Sequence, residues 1–305
     1  MAALISDIFS SSALLSLGLY HLICTTRNHL KSPREYVARL YHPFPLSGSS
    51  SSSRLKHIQL YLLILSLLVA LVHRLLTSTD SDPLLKGRTP VYRFTSLQAA
   101  AVLFLFLFLS LALLLSDATT LFPIPSDLLF ALASVIFFLQ FSVSSASASV
   151  QTSDLQAKCD SISARISAAS ALQCLLLACQ PRLFIADVGL GSSFCLQGLW
   201  VLQTGLSLYV EAFIPEGCHR LLDVANGVEG STKCDLEESR LRAVAILDLV
   251  FVVHVMFVVD IVLVIYAVVV KTVGLRRFGS YEALPTLSTA DSDHVQMKAL
   301  AGTQA

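Results

Sequence analysis

Charged residues are scarce in this chain. Asp, Glu, Lys and Arg make up 14% of its 305 residues against 54% hydrophobic residues, and the mean hydropathy is +0.71. Because soluble domains carry about 25% charged residues, the composition excludes that class and predicts a polytopic protein whose main partner is the lipid bilayer. The 21 basic and 21 acidic residues balance, so no nucleic-acid partner is expected.

The sequence also lacks the spacings typical of common metal and catalytic sites. Its seven cysteines contain no C-x-x-C pair, and neither H-E-x-x-H nor G-x-S-x-G occurs. The only asparagines, Asn28 and Asn226, start no N-glycosylation sequon. We therefore predict no enzyme activity, no catalytic residues, no metal and no cofactor.

Seven apolar runs are long enough to cross a bilayer, since a spanning helix needs about 20 residues. They lie near residues 8–26, 58–76, 94–115, 128–147, 162–180, 191–214 and 243–270. The fifth is the weakest, because Arg165 and several small polar residues require shielding by neighbouring helices or a re-entrant path. The sequence thus predicts an all-α bundle of seven transmembrane helices over residues 1–270, followed by a disordered tail over residues 271–305.

Basic residues at the ends of the runs predict the orientation. Arg27 and Lys31 directly follow the first run, and Lys271, Arg276 and Arg277 follow the last one. Because positive residues favour the cytoplasmic side, we expect the N-terminus outside and the tail in the cytoplasm.

The sixth run combines small and polar residues. Gly191, Gly198 and Gly205 recur every seven residues and predict a seam along which a neighbouring helix approaches closely. Gln197, Trp200 and Gln203 lie in the same stretch. Together these six residues form a predicted helix-packing motif.

Three ionisable residues are predicted to lie inside the membrane: Glu211, His254 and Asp260. Such residues are functional candidates by default, so a proton-linked small-solute transporter that uses them is the alternative to a structural role. An alternative is that polar side chains such as His254 only bond neighbouring helices. A third class, an intramembrane metal hydrolase, needs clustered ligands at spacings such as i, i+4, and His254 has no such partner.

The loop after the first run contains Ser32-Pro33-Arg34-Glu35, a capping box with proline at the first helical position. It predicts a short helix lying in the headgroup plane, with Tyr36 and Leu40 on its apolar face. His21, at the end of the first run, is expected to be a hydrogen-bonded interfacial histidine.

Cys218 and Cys234 lie in the loop that the predicted topology places outside the cytoplasm. Disulfides form in that environment, so we predict a disulfide between them; two free thiols are the alternative.

The tail contains Tyr281 and Leu284, which have the form tyrosine, any, any, bulky apolar. An extended peptide of this form can bind a sorting adaptor from the cytoplasm. We therefore predict cycling between the plasma membrane and post-Golgi endomembranes; an inert accident of sequence is the alternative.

Several stretches together resemble a known family. They are Leu196-Gln197-Gly198-Leu199-Trp200, Gln203-Thr204-Gly205, the segment from Phe213 to His219, the segment from Leu241 to His254, and Gly18-Leu19-Tyr20-His21. The chain resembles the transmembrane protein 45 family, specifically its land-plant branch. The resemblance implies a multi-pass membrane protein whose shared domain has no assigned biochemical function, with plant members described as viral-response proteins. A structural, trafficking or defence-associated protein is accordingly the favoured expectation, ahead of the transporter.

Overall fold

The computed structural model describes residues 2–44, 56–79, 91–118, 123–151, 153–222 and 229–278. Within them lie seven α-helices: α1 (Ala2–Lys31), α2 (Ile58–Thr79), α3 (Val91–Ala118), α4 (Ser126–Val150), α5 (Asp154–Cys179), α6 (Phe184–Tyr209) and α7 (Glu237–Phe278). Two strands, β1 (Cys218–Leu222) and β2 (Glu229–Cys234), form an antiparallel hairpin between α6 and α7.

The seven helices of the described ranges are all long and apolar enough to cross a membrane. The predicted all-α architecture is therefore confirmed, and the protein is a multi-pass membrane protein. The hairpin is an addition in a region predicted to be a polar loop. Its strand sequences, CHRLL and EGSTKC, lack the regular alternation of apolar and polar residues that signals a strand.

Several helices begin or end away from the predicted runs. Helix α6 begins at Phe184 rather than near residue 191 and ends at Tyr209 rather than near residue 214. Helix α7 continues to Phe278, so residues 271–278 are helical and the prediction of disorder from residue 271 is wrong there. The rest of the predicted tail lies outside the described residues.

Helices α1 and α6 approach closely because glycines line their interface. A Cβ added to Gly18 would lie 2.8 Å from the backbone nitrogen of Cys195 and 2.9 Å from the carbonyl oxygen of Gly191. A Cβ added to Gly198 would lie 3.0 Å from the backbone nitrogen of Leu15. Only residues without a side chain allow these backbones to come so near.

Helix α6 also packs against α5 and α7 through Trp200. This side chain is 1% exposed, and its Nε1 donates a hydrogen bond of 3.0 Å to the carbonyl oxygen of Cys159 in α5. Its ring lies edge-on to Phe251 of α7, with centroids 5.7 Å apart. Helix α6 is thus central in the bundle.

The segment after α1 does not form the predicted headgroup helix. A single 3-10 turn covers Pro33–Glu35, the Ser32 side chain makes no capping bond, and the following backbone is extended. The Ala38 N–H instead donates a 2.7 Å hydrogen bond to the carbonyl oxygen of Pro181, between α5 and α6. Because this tertiary bond replaces a helical one, the segment folds back and buries Tyr36.

Candidate functional site

Five buried polar side chains meet where α1, the segment after it and α6 come together. We call them the polar cluster: His21, Thr25, Tyr36, His42 and Asp187. His21 and Thr25 are four residues apart on one face of α1. Asp187 lies in the first turn of α6, where the helix dipole favours a carboxylate.

Asp187 is the centre of the polar cluster, since its side chain is 0% exposed and accepts three hydrogen bonds. His21 Nε2 donates to Oδ1 at 2.8 Å, and Thr25 Oγ1 donates to Oδ2 at 3.1 Å. The Tyr36 hydroxyl donates to the same Oδ2. A buried carboxylate is stable only when it is bonded in this way, so these contacts hold α1 and the following segment against α6.

His42 is bonded more weakly. Its Nε2 lies 3.4 Å from Thr25 Oγ1, beyond the usual 2.7–3.2 Å of an N–H···O bond. Burial first, and the neighbouring His21 second, lower the pKa of His42 to about 4, against the opposing effect of Asp187. His42 is therefore neutral at neutral pH and carries a lone pair on one ring nitrogen.

Burial, followed by the nearby Asp187 carboxylate, raises the pKa of Tyr36 well above its usual range. Tyr36 therefore keeps its proton and remains a hydrogen-bond donor to Asp187.

A cavity of about 270 Å³, the bundle cavity, lies beside the polar cluster. Side chains from α1 to α6 line it, and most of them are apolar. His21 and His42 lie in its wall, together with Gln59 of α2 and Gln197 of α6. The Oε1 atoms of Gln59 and Gln197 are buried and have no hydrogen-bond partner within the described part of the chain.

Comparison with known proteins finds a match to a family whose function is unknown. Residues 126–267 match the family of unknown function DUF716. The match covers a little under half of the chain; it runs from the start of α4 into α7 and includes Asp187, but not α1 or the segment that holds His42. A search of the curated proteins finds no match.

The predicted helix-packing motif divides between two neighbours. Gly191, Gly198 and Gly205 face α1, where a Cβ on Gly205 would lie 3.1 Å from Cβ of Asp7. Gln197 Nε2 donates to Ser163 Oγ of α5 at 2.8 Å. Gln203 instead bonds Ser207 on its own helix at 2.9 Å. Trp200, described above, completes the contact with α5.

The structure does not bring the three predicted intramembrane ionisable residues together. Glu211 lies outside the sixth helix, because α6 ends at Tyr209 and Glu211 is exposed in a 3-10 turn after it. His254 Nδ1 lies 2.7 Å from the carbonyl oxygen of Val250 on its own helix. Asp260 is exposed on α7. Among the described residues that line the bundle cavity, none of these three occurs.

The remaining predicted sites are the disulfide and the tail motif. Cys218 and Cys234, for which the sequence predicted a disulfide, are joined by one at the ends of the hairpin, with Cα atoms 3.9 Å apart. Tyr281 and Leu284 lie outside the described residues.

Sequence reasoning missed Asp187, Thr25, Tyr36 and His42. Placing the sixth span at residues 191–214 left Asp187 in a loop, whereas it lies inside the apolar helix α6. Two signals were available: a carboxylate four residues into an apolar run, and a histidine near the end of α1 that needed a partner.

Proposed function

We propose that this multi-pass membrane protein binds a small, largely apolar molecule in the bundle cavity. The observation that supports the proposal is a largely apolar cavity lined by Gln59 and Gln197, whose buried Oε1 atoms have no hydrogen-bond partner within the described residues. Ligand pockets combine such an apolar lining with a few polar groups that fix the ligand's orientation.

The size and polarity of the cavity define the class of ligand. A volume of about 270 Å³ lies just below the range of about 300–1,000 Å³ of typical ligand pockets, so the molecule is small. A buried acceptor without a partner costs about 1–3 kcal/mol, which a ligand hydroxyl or amine would offset by donating to Gln59 or Gln197. We therefore expect an apolar molecule with one such donor.

Mass spectrometry of co-purified small molecules tests this proposal. Ala70 and Leu68 both lie on α2, but Ala70 lines the cavity whereas Leu68 is 42% exposed on the outside. Ala70→Phe should fill part of the cavity and lose the bound molecule, and Leu68→Phe should retain it as a matched control. If extracts of the wild type and of Ala70→Phe contain the same molecules in the same amounts, the proposal is wrong.

A structural, trafficking or defence-associated role is our second proposal. Helix α7 offers a surface for such a role, because the apolar side chains of Val252, Met256, Val259 and Leu263 are exposed on it. The narrower assignment to the land-plant branch of the transmembrane protein 45 family rests on the stretches quoted above and stays a prediction. So does a location at the plasma membrane or post-Golgi endomembranes, which depends on Tyr281 and Leu284.

A further inference from the structure

The polar cluster contains three metal-ligating side chains that face one another. The nearest ligand atoms of His21, His42 and Asp187 all lie within 4.8 Å of one another. Their exposed fractions are 3%, 6% and 0%. We propose that these three residues bind a divalent transition-metal ion of the zinc type.

The ligand set and its spacing fit such an ion. Zinc binds imidazole nitrogen and carboxylate oxygen at about 2.0–2.2 Å, which places tetrahedral ligand atoms about 3.3–3.5 Å apart. His21 Nε2 and Asp187 Oδ1 are 2.8 Å apart because a proton lies between them. A metal ion that replaces this proton must widen the pair by about half an ångström, which small side-chain rotations supply.

The surrounding bonds leave the ligand atoms free to turn towards one point. Tyr36 and Thr25 both donate to Asp187 Oδ2, so they orient the carboxylate while Oδ1 faces His21. Outer hydrogen bonds of this kind commonly fix the ligands of a metal site. The 3.4 Å contact of His42 with Thr25 leaves that imidazole poorly bonded inside the protein.

The arrangement also leaves one coordination position open. His21 and His42 line the bundle cavity, so a fourth ligand can reach the ion from that side. The proposed site thus has three protein ligands and one exchangeable position, unlike closed structural zinc sites, which use four protein ligands.

The sequence motifs predicted no metal because they require ligands that lie close together in the chain, such as two residues one helical turn apart. The three residues come instead from α1, the segment after it and α6, and the fold alone brings them together.

Loading the full-length protein with cobalt(II) alone tests this inference. After treatment with a chelator, the wild type should bind one cobalt ion per chain and develop the visible absorption of four-coordinate cobalt. His42→Ala changes a residue outside the helices, so it should fold, and it should lose this spectrum. His254→Ala, which removes a histidine outside the polar cluster, should retain the spectrum and the stoichiometry.

A second variant separates ligation from folding. Thr25→Val removes a bond to Asp187 but no ligand, so it should weaken cobalt affinity by the roughly 10–100-fold typical of an outer partner. The absence of a cobalt spectrum in folded wild type would overturn the inference and leave a hydrogen-bond network alone. An unchanged spectrum in folded His42→Ala would also overturn it.

Discussion

His21 of α1 and Asp187 of α6 form a buried hydrogen bond of 2.8 Å between residues 166 positions apart in the chain. Thr25 and Tyr36 donate to the other oxygen of the same carboxylate. One side chain of α6 thus binds both α1 and the segment after it, beside the glycine contacts that bring the two helices together.

We expect Asp187→Ala to destabilise the bundle. The substitution leaves three buried donors without their acceptor, and the loss should be about 3–5 kcal/mol in the free energy of unfolding. The loss of stability is measured by thermal unfolding in mild detergent, monitored by size-exclusion chromatography. Asp127→Ala, at an exposed position in the first turn of α4, is the control and should cost less than about 1 kcal/mol. Equal losses in the two variants would show that the Asp187 bonds contribute little.

Glycine positions in helices should differ sharply in their tolerance of alanine. Gly18→Ala places a Cβ against the backbone of α6, so we expect a loss of about 1–3 kcal/mol in stability. Gly274→Ala in α7 meets nothing within 4 Å and should stabilise that helix by up to about 1 kcal/mol. The unfolding temperatures of the two variants, compared with that of the wild type, test this difference. If Gly18→Ala is as stable as the wild type, the α1–α6 interface is less tight than described.

The sequence predicted the number and type of the helices, because long apolar runs depend on local composition. It also singled out Gly191, Gly198 and Gly205, whose regular spacing on one helix face is a local property as well. The polar cluster could not be predicted in this way. Tyr36 and His42 reach Asp187 only because the Ala38–Pro181 backbone bond folds their segment back, and local patterns favoured a helix there.

The disulfide should account for two of the seven cysteines. Thiol labelling of the denatured, unreduced protein should modify five cysteines, and labelling after reduction should modify all seven, because only Cys218 and Cys234 are joined. Cys218 and Cys234 are 16 positions apart in the chain. Closing a loop of that length with a disulfide stabilises a fold by about 3 kcal/mol, so Cys218→Ser should lower the unfolding temperature. Modification of all seven cysteines without reduction would contradict the pairing and its location outside the cytoplasm.

The tail motif gives a prediction about location. A Tyr281→Ala, Leu284→Ala double variant should accumulate at the plasma membrane if an adaptor reads these two residues from the cytoplasm. Fluorescence imaging of a tagged protein measures the distribution, and alanine at Thr286 and Ser288 in the same tail is a matched control. An unchanged distribution in the double variant would remove the sorting hypothesis.

Photo-crosslinking inside the bundle cavity tests the proposed binding function most directly. Phe137 and Phe138 are neighbours on α4, but Phe137 lines the cavity whereas Phe138 is 58% exposed on the outside. Each residue is replaced in turn by the photo-crosslinker benzoylphenylalanine. Each variant is irradiated in native membranes, and the mass of the intact protein is then measured by mass spectrometry. We predict one discrete small adduct at position 137 and a mixture of bulk phospholipids at position 138. The same mixture at both positions, or no adduct at 137, would contradict the account.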